Sequence, residues 1–179
     1  MGKLIALLRG VNVGGATRVP MAELKALCGR IGLEKAETYI QSGNVVFESD
    51  TAPDALEARL EDALRTAFGF APAVMVRSAD QWSAYAAGCP FPEAAEKEAN
   101  LVLLGLCKRP PRPEAAGELE ARGANGERVA IAGDALWFHY AGGVGPSKLS
   151  PSLIDRLAGA PVTARNWRTV LKLRDMAAQ

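Results

Sequence analysis

Residues 4–15 read LIALLRGVNVGG, an apolar run followed by a loop that contains three glycines. The apolar run, Leu4–Leu8, predicts a buried strand, and Val19–Leu24 predicts the start of a helix. Glycines between a strand and a helix let a ligand approach the backbone closely, and Arg9 adds a positive charge at that point. The stretch is therefore typical of an anion-binding loop, and equally of a tight turn in which glycine relieves strain.

Working outward from this stretch, the first half of the chain predicts elements in the order β-α-β-β-α-β. Both helices keep their apolar residues on one face. Ser42-Gly43-Asn44 has the composition of a hairpin turn between two short strand patterns, Thr38–Gln41 and Val45–Glu48. The apolar helix positions are Met21, Leu24, Leu27, Cys28, Ile31, Leu56, Leu60, Leu64 and Phe68. This order predicts a split βαβ, or ferredoxin-like, unit.

Two further patterns refine the first half. The second helix carries its charged residues away from its apolar face, and we expect them to face solvent. These residues are Glu57, Arg59, Glu61, Asp62 and Arg65. Ser78 and Gln81 have the spacing of a capping box, which predicts the start of a third helix.

The second half repeats the order of elements from Leu101 onward. Gly133-Asp134 predicts a hairpin, and Ser150 predicts a helix cap. The predicted fold class is α+β, with two packed units at residues 1–80 and 81–179. The first unit is ferredoxin-like, and the second carries the C-terminal helices.

The composition narrows the class of protein. The 179 residues include 21 basic and 20 acidic side chains, so the formal net charge is +1. This balance argues against nucleic-acid binding by the charge of the whole molecule. Three cysteines without metal-ligand spacing indicate a reducing compartment, and no apolar run is long enough for a secretion signal or a membrane helix. We expect a cytoplasmic protein without a membrane partner, and no pattern indicates its oligomeric state.

Basic residues concentrate at the two ends of the chain. Residues 1–30 carry five basic side chains and one acidic side chain, and residues 142–179 carry six and two. If the two ends meet in space, they form one positive patch; the alternative is an uneven distribution by chance.

Four segments contain the residue types that bind an anion. They are the glycine-rich loop, the hairpin tip, the stretch before Lys148 and the Arg165-Asn166-Trp167 segment. In the last of these, a cation lies beside a ring that can stack on a base. The candidate ligand-binding residues are Arg9, Asn12, Gly14, Gly15, Gln41, Ser42, Asn44, Ser147, Lys148, Arg165, Asn166 and Trp167.

Each segment also has a purely structural interpretation. A hairpin tip needs glycine and asparagine for its positive φ angles. Ser147-Lys148 departs from the Walker spacing, which leaves Lys148 as an ordinary solvated lysine. In the structural interpretation of the last segment, Trp167 is a core residue. Arg165, Arg168 and Lys172 form a basic stripe beside it if one helix covers all three.

Patterns for catalysis are few. The single histidine, His139, lies in a strand pattern typical of a half-buried structural residue. One histidine and scattered cysteines do not make a zinc site, so no metal or cofactor is predicted. No acid and base can be nominated, and enzyme activity is left open.

These same segments carry a resemblance to a known family. Leu7–Gly15, Val19–Leu24 and Thr38–Phe47 resemble the bacterial domain-of-unknown-function family 1697, and three later segments continue the likeness. Those are Pro90-Phe91-Pro92, Ser147-Lys148-Leu149 and Ala164–Leu173. The resemblance implies a soluble bacterial α+β protein and carries no assigned activity. Ala16-Thr17 and Pro146 stand where that family has more polar or basic residues, which lowers the positive charge of an anion site.

Three functions are compatible with these residues. The first is a binding protein in which cationic groups from both halves converge on one cleft for a small phosphorylated or carboxylated ligand. The second is an RNA-binding module, which needs exposed aromatic residues on its sheet; Tyr39 and Phe47 lie nearest to such positions. The third is an enzyme acting on a small anionic metabolite.

Overall fold

A computed structural model describes all of residues 1–179. Internal contacts divide the chain into unit 1, which contains Met1–Ser83 and Leu173–Gln179, and unit 2, which contains Ala84–Lys172. The sequence predicted the boundary between the two units at residue 81 and assigned the last seven residues to the second unit.

Unit 1 contains six elements in the order β-α-β-β-α-β and the start of a third helix. The bounds are β1 Gly2–Leu8, α1 Met21–Arg30, β2 Glu34–Tyr39, β3 Asn44–Ser49, α2 Pro53–Phe68, β4 Val74–Ser78 and α3 Ala79–Ala87. The four strands form one antiparallel sheet in the order β2-β3-β1-β4. Leu24 of α1 and Leu60 of α2 pack with Leu4 and Phe47 in the core on one face of this sheet.

Unit 2 has the same order of elements after one short helix. The bounds are α4 Pro92–Lys97, β5 Val102–Cys107, α5 Ala115–Arg122, β6 Glu127–Ala132, β7 Ala135–Tyr140, α6 Pro151–Ala158, β8 Val162–Asn166 and α7 Trp167–Ala177. Its sheet is antiparallel with the order β6-β7-β5-β8, which matches that of unit 1 strand for strand. The predicted α+β class is confirmed, and both halves follow one plan.

Helix boundaries follow the predicted signals closely. Ser78 and Gln81 form the capping box, because the Gln81 N–H donates to Ser78 Oγ at 3.1 Å and the Ser78 N–H donates to Gln81 Oε1 at 2.9 Å. The Leu153 N–H donates to Ser150 Oγ at 3.2 Å, which confirms Ser150 as the cap of α6. Pro20 is the N-cap residue of α1 and precedes its first turn.

Two of the charged residues of α2 do not face solvent as expected. Glu57 is buried, and its Oε1 accepts a hydrogen bond from the Val76 N–H at 2.8 Å. Glu61 Oε1 accepts from the Val74 N–H at 2.9 Å. Both N–H groups belong to the edge strand β4, whose outer side has no neighbouring strand. Edge-strand N–H groups need partners, and these carboxylates supply them.

None of the seven helices combines the length and the apolar character that a membrane crossing requires.

Candidate functional site

Asn12 fastens the glycine-rich loop of unit 1 to the hairpin tip between β2 and β3. Its Nδ2 donates to the carbonyl oxygens of Val19 at 2.9 Å and Gln41 at 2.7 Å, and its Oδ1 accepts from the Val19 N–H at 2.8 Å. Its φ is 57°, a conformation that asparagine adopts more readily than most residues. Residues 9–19 and 40–44 therefore form one surface, which we call the loop–hairpin surface.

The hairpin tip packs directly against the end of β1. The Leu8 N–H donates to the Gly43 carbonyl oxygen at 2.8 Å. Gly43 has a φ of 83°, and a Cβ there would lie 2.8 Å from both Leu8 Cβ and Val11 Cγ2, so the position requires glycine. Asn44 is buried and its Nδ2 donates to Ser42 Oγ at 2.9 Å. Gly43 takes a positive φ as predicted, but Asn44 does not: the second positive φ of the tip, 50°, is at Ile40, and Asn44 begins β3.

The solvent side of the loop–hairpin surface is positively charged, and part of its backbone is exposed because it belongs to glycines. Gly14 and Gly15 are exposed, have φ angles of 69° and 83°, and have space for a Cβ with no atom within 4 Å. Arg18 is exposed and Arg9 is half-buried. The surface contains no acidic residue. The predicted residues of unit 1 therefore come together around a positively charged loop.

Ser147 and Lys148 lie on the loop between β7 and α6. The Ser147 hydroxyl donates to Glu127 Oε1 at 2.8 Å and accepts from the Leu149 N–H at 3.2 Å. Glu127 is buried, and the Asn125 N–H, assisted by the Ser147 hydroxyl, lowers the pKa of its carboxyl. Ser147 therefore holds its loop against β6, and Lys148 is exposed beside it.

Arg165 lies inside strand β8, so one helix does not present Arg165, Arg168 and Lys172 as a stripe. Its side chain is buried and donates to Thr163 Oγ1 at 2.7 Å and to the Ala164 carbonyl oxygen at 2.9 Å. Burial lowers the pKa of its guanidinium to about 10. This arginine is part of the interior of the protein and not an exposed anion ligand.

The predicted residues of unit 2 do not form one group. Strands β7 and β5 lie between β6, where the loop of Ser147 is held, and β8, which contains Arg165. Asn166 Oδ1 accepts from the Thr169 N–H at 3.0 Å, so Asn166 caps α7. The convergence of the unit 1 and unit 2 residues on one cleft stays a prediction.

Trp167 lines a cavity in unit 2 together with its neighbour Arg168. The cavity has a volume of about 510 Å³. Its walls come from the end of α3, the loop after it, α4 and the first turns of α7, and we call it the α4–α7 cavity. Four alanines line it, together with Cys89, Pro92, Glu96, Trp167, Arg168 and Leu171.

Both sides of the α4–α7 cavity are held by specific contacts. The backbone N–H of Trp167 donates to the Ala99 carbonyl oxygen at 3.2 Å, and the Trp167 ring lies 5.9 Å from that of Trp137, tilted by 53°. Before α4, Phe91 is buried, with the His139 ring 5.9 Å away and the Arg128 guanidinium 5.0 Å from its ring centre.

His139 joins the end of α4 to the sheet, which agrees with its predicted structural role. Its Nε2 lies 3.0 Å from Glu98 Oε2, and its Nδ1 is buried without a hydrogen-bond partner. The sequence predicted Trp167 as a ligand residue but missed the cavity, because α4 was not predicted. Pro92, at the first position of α4, was the available signal.

The aromatic positions of the sheets do not match those of an RNA-binding surface. Phe47 is in the core and Tyr39 is half-buried, so neither offers the exposed ring that stacking on a base needs. No group of three or more histidine, cysteine or acidic side chains is placed to hold a metal ion.

The comparisons with known proteins agree with this fold. A model of the family described as "Protein of unknown function (DUF1697)" matches residues 1–137, which is more than half of the chain. The chain belongs to this family. Among solved structures, a conserved bacterial protein from Streptococcus pneumoniae is similar, with a TM-score of 0.71 and 23% identity over 100% of this chain and 99% of that one. At that identity the likeness concerns the fold alone. A search of the curated proteins finds no match.

Proposed function

We propose that the protein binds a small phosphorylated or carboxylated ligand on the loop–hairpin surface of unit 1. The observation that carries this proposal is the bonding of Asn12, whose amide joins the glycine loop to the hairpin tip. Because of these bonds, seven of the predicted ligand residues belong to one surface. They are Arg9, Asn12, Gly14, Gly15, Gln41, Ser42 and Asn44.

The chemistry of this surface favours an anion. The backbone at Gly14 and Gly15 is exposed on the side where other residues carry a side chain, so a ligand can approach it closely. Arg9 and Arg18 add two positive charges, and residues 9–19 and 40–44 contain no carboxylate. Hydrogen bonds from charged donors to an anion are the strong kind, so a few of them suffice for binding.

The residues of the surface divide into two groups by role. Asn12 and Asn44 direct their side chains at backbone or at Ser42 and hold the shape of the surface. Arg9, Gln41 and the two glycines are the groups that contact ligand. A contribution of Lys148 or Trp167 to the same ligand stays a prediction from the sequence.

Titration calorimetry of the full chain tests the proposal, with inorganic phosphate, pyrophosphate and citrate as probes. We expect at least one probe to bind and to raise the melting temperature with its concentration. Arg9→Gln and Arg18→Gln each remove one cation and should weaken binding about ten-fold, the value of one charged hydrogen bond.

The matched control is Arg122→Gln, which removes an exposed arginine from the last turn of α5. It should leave binding unchanged. If no probe binds at millimolar concentration, or if all three variants weaken binding equally, the loop–hairpin surface is not an anion site.

A further inference from the structure

The α4–α7 cavity of unit 2 has the dimensions of a small-molecule site. Its volume of about 510 Å³ lies within the range of small-molecule pockets, and it is open to solvent. A protein partner needs a much larger surface, so the cavity favours a small molecule over a macromolecule. All of its lining residues belong to unit 2.

The walls of the cavity indicate a flat, apolar ligand body. Trp167 is half-buried and lines the cavity, and the four alanines that also line it have side chains too small to fill the space. Indole rings bind other rings by offset stacking or edge-to-face contact, which adds to the free energy of apolar burial. An aromatic ring is therefore the chemical body that these walls fit.

The charges of the cavity indicate one anionic group on that ligand. Arg168 is exposed, makes no ion pair, and lies in the first turn of α7, an 11-residue helix whose N-terminus also favours negative charge. Glu96 lies in the last turn of α4 and also lines the cavity. A carboxylate at Glu96 repels a second anionic group, so it disfavours ligands with two negative charges.

The cavity is also formed in advance. On the α4 side, the Phe91 ring packs against the His139 ring and the Arg128 guanidinium. On the α7 side, the backbone N–H of Trp167 is hydrogen-bonded to the Ala99 carbonyl oxygen. Binding to such a site costs little ordering of the protein.

From the volume, the indole wall and the unpaired arginine, we infer that the α4–α7 cavity binds a small aromatic monocarboxylate. The ring stacks on Trp167, and the carboxylate pairs with Arg168. Cys89 lines the same cavity, while Cys28 and Cys107 are buried, so one thiol of the chain reports on its occupancy.

The test uses the rate at which N-ethylmaleimide labels Cys89 in the native full chain at pH 8.5, where more of the reactive thiolate is present. The probes are indole-3-acetate and its neutral isostere indole-3-acetamide. We expect indole-3-acetate to slow labelling of Cys89 at least three-fold at millimolar concentration, and indole-3-acetamide to do so at about ten-fold higher concentration.

Two variants separate the carboxylate contact from a general effect. Arg168→Gln should raise the concentration of indole-3-acetate needed for half-protection about ten-fold and leave that of the acetamide unchanged. Arg156→Gln, which removes an exposed arginine of α6, is the matched control and should change neither.

Three results would overturn the inference. The first is no protection of Cys89 by either probe. The second is equal protection by both probes with no effect of Arg168→Gln, which would show an apolar slot without anion recognition. The third is protection that rises with protein concentration in the absence of a probe, which would identify a second copy of the chain as the occupant.

Discussion

Gly43 and Gly14 share a left-handed backbone but differ in their surroundings. A Cβ at Gly43 would lie 2.8 Å from two side chains of the core, whereas a Cβ at Gly14 would meet no atom within 4 Å. The backbone cost of alanine is similar at both positions, roughly 1–2 kcal/mol. The steric cost arises only at Gly43, so the two glycines have different structural importance.

We therefore expect Gly43→Ala to lower the free energy of unfolding by about 3 kcal/mol and Gly14→Ala to lower it by about 1 kcal/mol. Urea unfolding followed by circular dichroism measures both values. Gly117→Ala, at an open position of the α5 helix, is the control and should cause little change or a gain. Equal losses at positions 43 and 14 would contradict the close approach of the hairpin tip to β1.

Tyr140 gives the molecule a dependence on alkaline pH. Burial, with a contribution from the charge of Glu127, raises the pKa of the Tyr140 hydroxyl from 10.0 to about 12. Because the folded pKa lies above the unfolded one, this stabilisation is complete below pH 10 and is lost as the pH rises towards 12. At pH 11 the free energy of unfolding is therefore lower by about 1 kcal/mol.

The measurement is urea unfolding at pH 8 and pH 11 for the native chain and for Tyr140→Phe. Between these two pH values, the free energy of unfolding of the native chain should fall by about 1 kcal/mol more than that of the variant. Tyr39→Phe, at a half-buried position of β2, is the control and should behave like the native chain. A native chain and a Tyr140→Phe variant with the same pH dependence would show that Tyr140 ionises freely.

At the scale of elements, the loop after β1 and the β2–β3 hairpin depend on one side chain. Asn12 makes three hydrogen bonds to backbone, two of them within the loop and one to the hairpin tip. Each such bond contributes about 1 kcal/mol when its partners are left without a substitute. The Asn12 amide therefore joins the two segments in addition to the packing of Gly43 against Leu8 and Val11.

Asn12→Gly keeps the left-handed backbone and removes the amide, so it isolates the side-chain contribution. We expect a loss of about 2 kcal/mol in unfolding free energy and faster hydrogen exchange at Val19. If the proposed function is correct, phosphate-type probes should also bind more weakly. Gln41→Ala serves as the control for stability and exchange alone, since Asn12 binds its backbone carbonyl and not its side chain. Unchanged exchange at Val19 would mean that the loop keeps its shape without Asn12.

At the scale of the whole molecule, one plan occurs twice in the chain. Both units have the element order β-α-β-β-α-β and the same strand order. In each unit a helix carboxylate accepts a hydrogen bond from the first residue of the fourth strand. Glu61 binds the Val74 N–H at 2.9 Å, and Asp155 binds the Val162 N–H at 2.9 Å. The two contacts satisfy an edge strand in the same way.

Because the contacts are equivalent, Glu61→Ala and Asp155→Ala should each lower the free energy of unfolding by about 1–2 kcal/mol. Asp62→Ala, which removes an exposed i,i+3 pair with Arg65, is the matched control and should cost less than about 0.5 kcal/mol. Thermal and urea unfolding measure all three. A large loss in only one of the two units would show that the repeated contact has different roles in them.

Local signals predicted much of this fold. Ser78, Gln81 and Ser150 cap helices as expected, because capping bonds join residues three apart in the chain. Gly43 takes the positive φ predicted for the hairpin tip, because that conformation favours glycine, whereas Asn44 begins β3 and Ile40 has the other positive φ. The burial of Glu57 could not be predicted, because its partner Val76 lies 19 residues further along the chain.

The candidate site was predicted less well than the fold. Asn12, Ser147 and Asn166 are polar residues of the types that bind ligands, yet their side chains bind the protein itself. Arg165 was placed in a basic stripe on the condition that one helix covers it, and the strand β8 that contains it was not predicted. Residue type shows which bonds a side chain can form, and only its neighbours show which bonds it does form.

The sequence by itself determined the α+β class, the order of the elements of unit 1 and the family, because each depends on apolar periodicity or on short stretches of neighbouring residues. Only the tertiary structure decided which polar groups face inward and where a cavity forms. The reason is physical: a buried polar group takes whichever partner the folded chain brings within about 3 Å, and that partner is often far away in sequence.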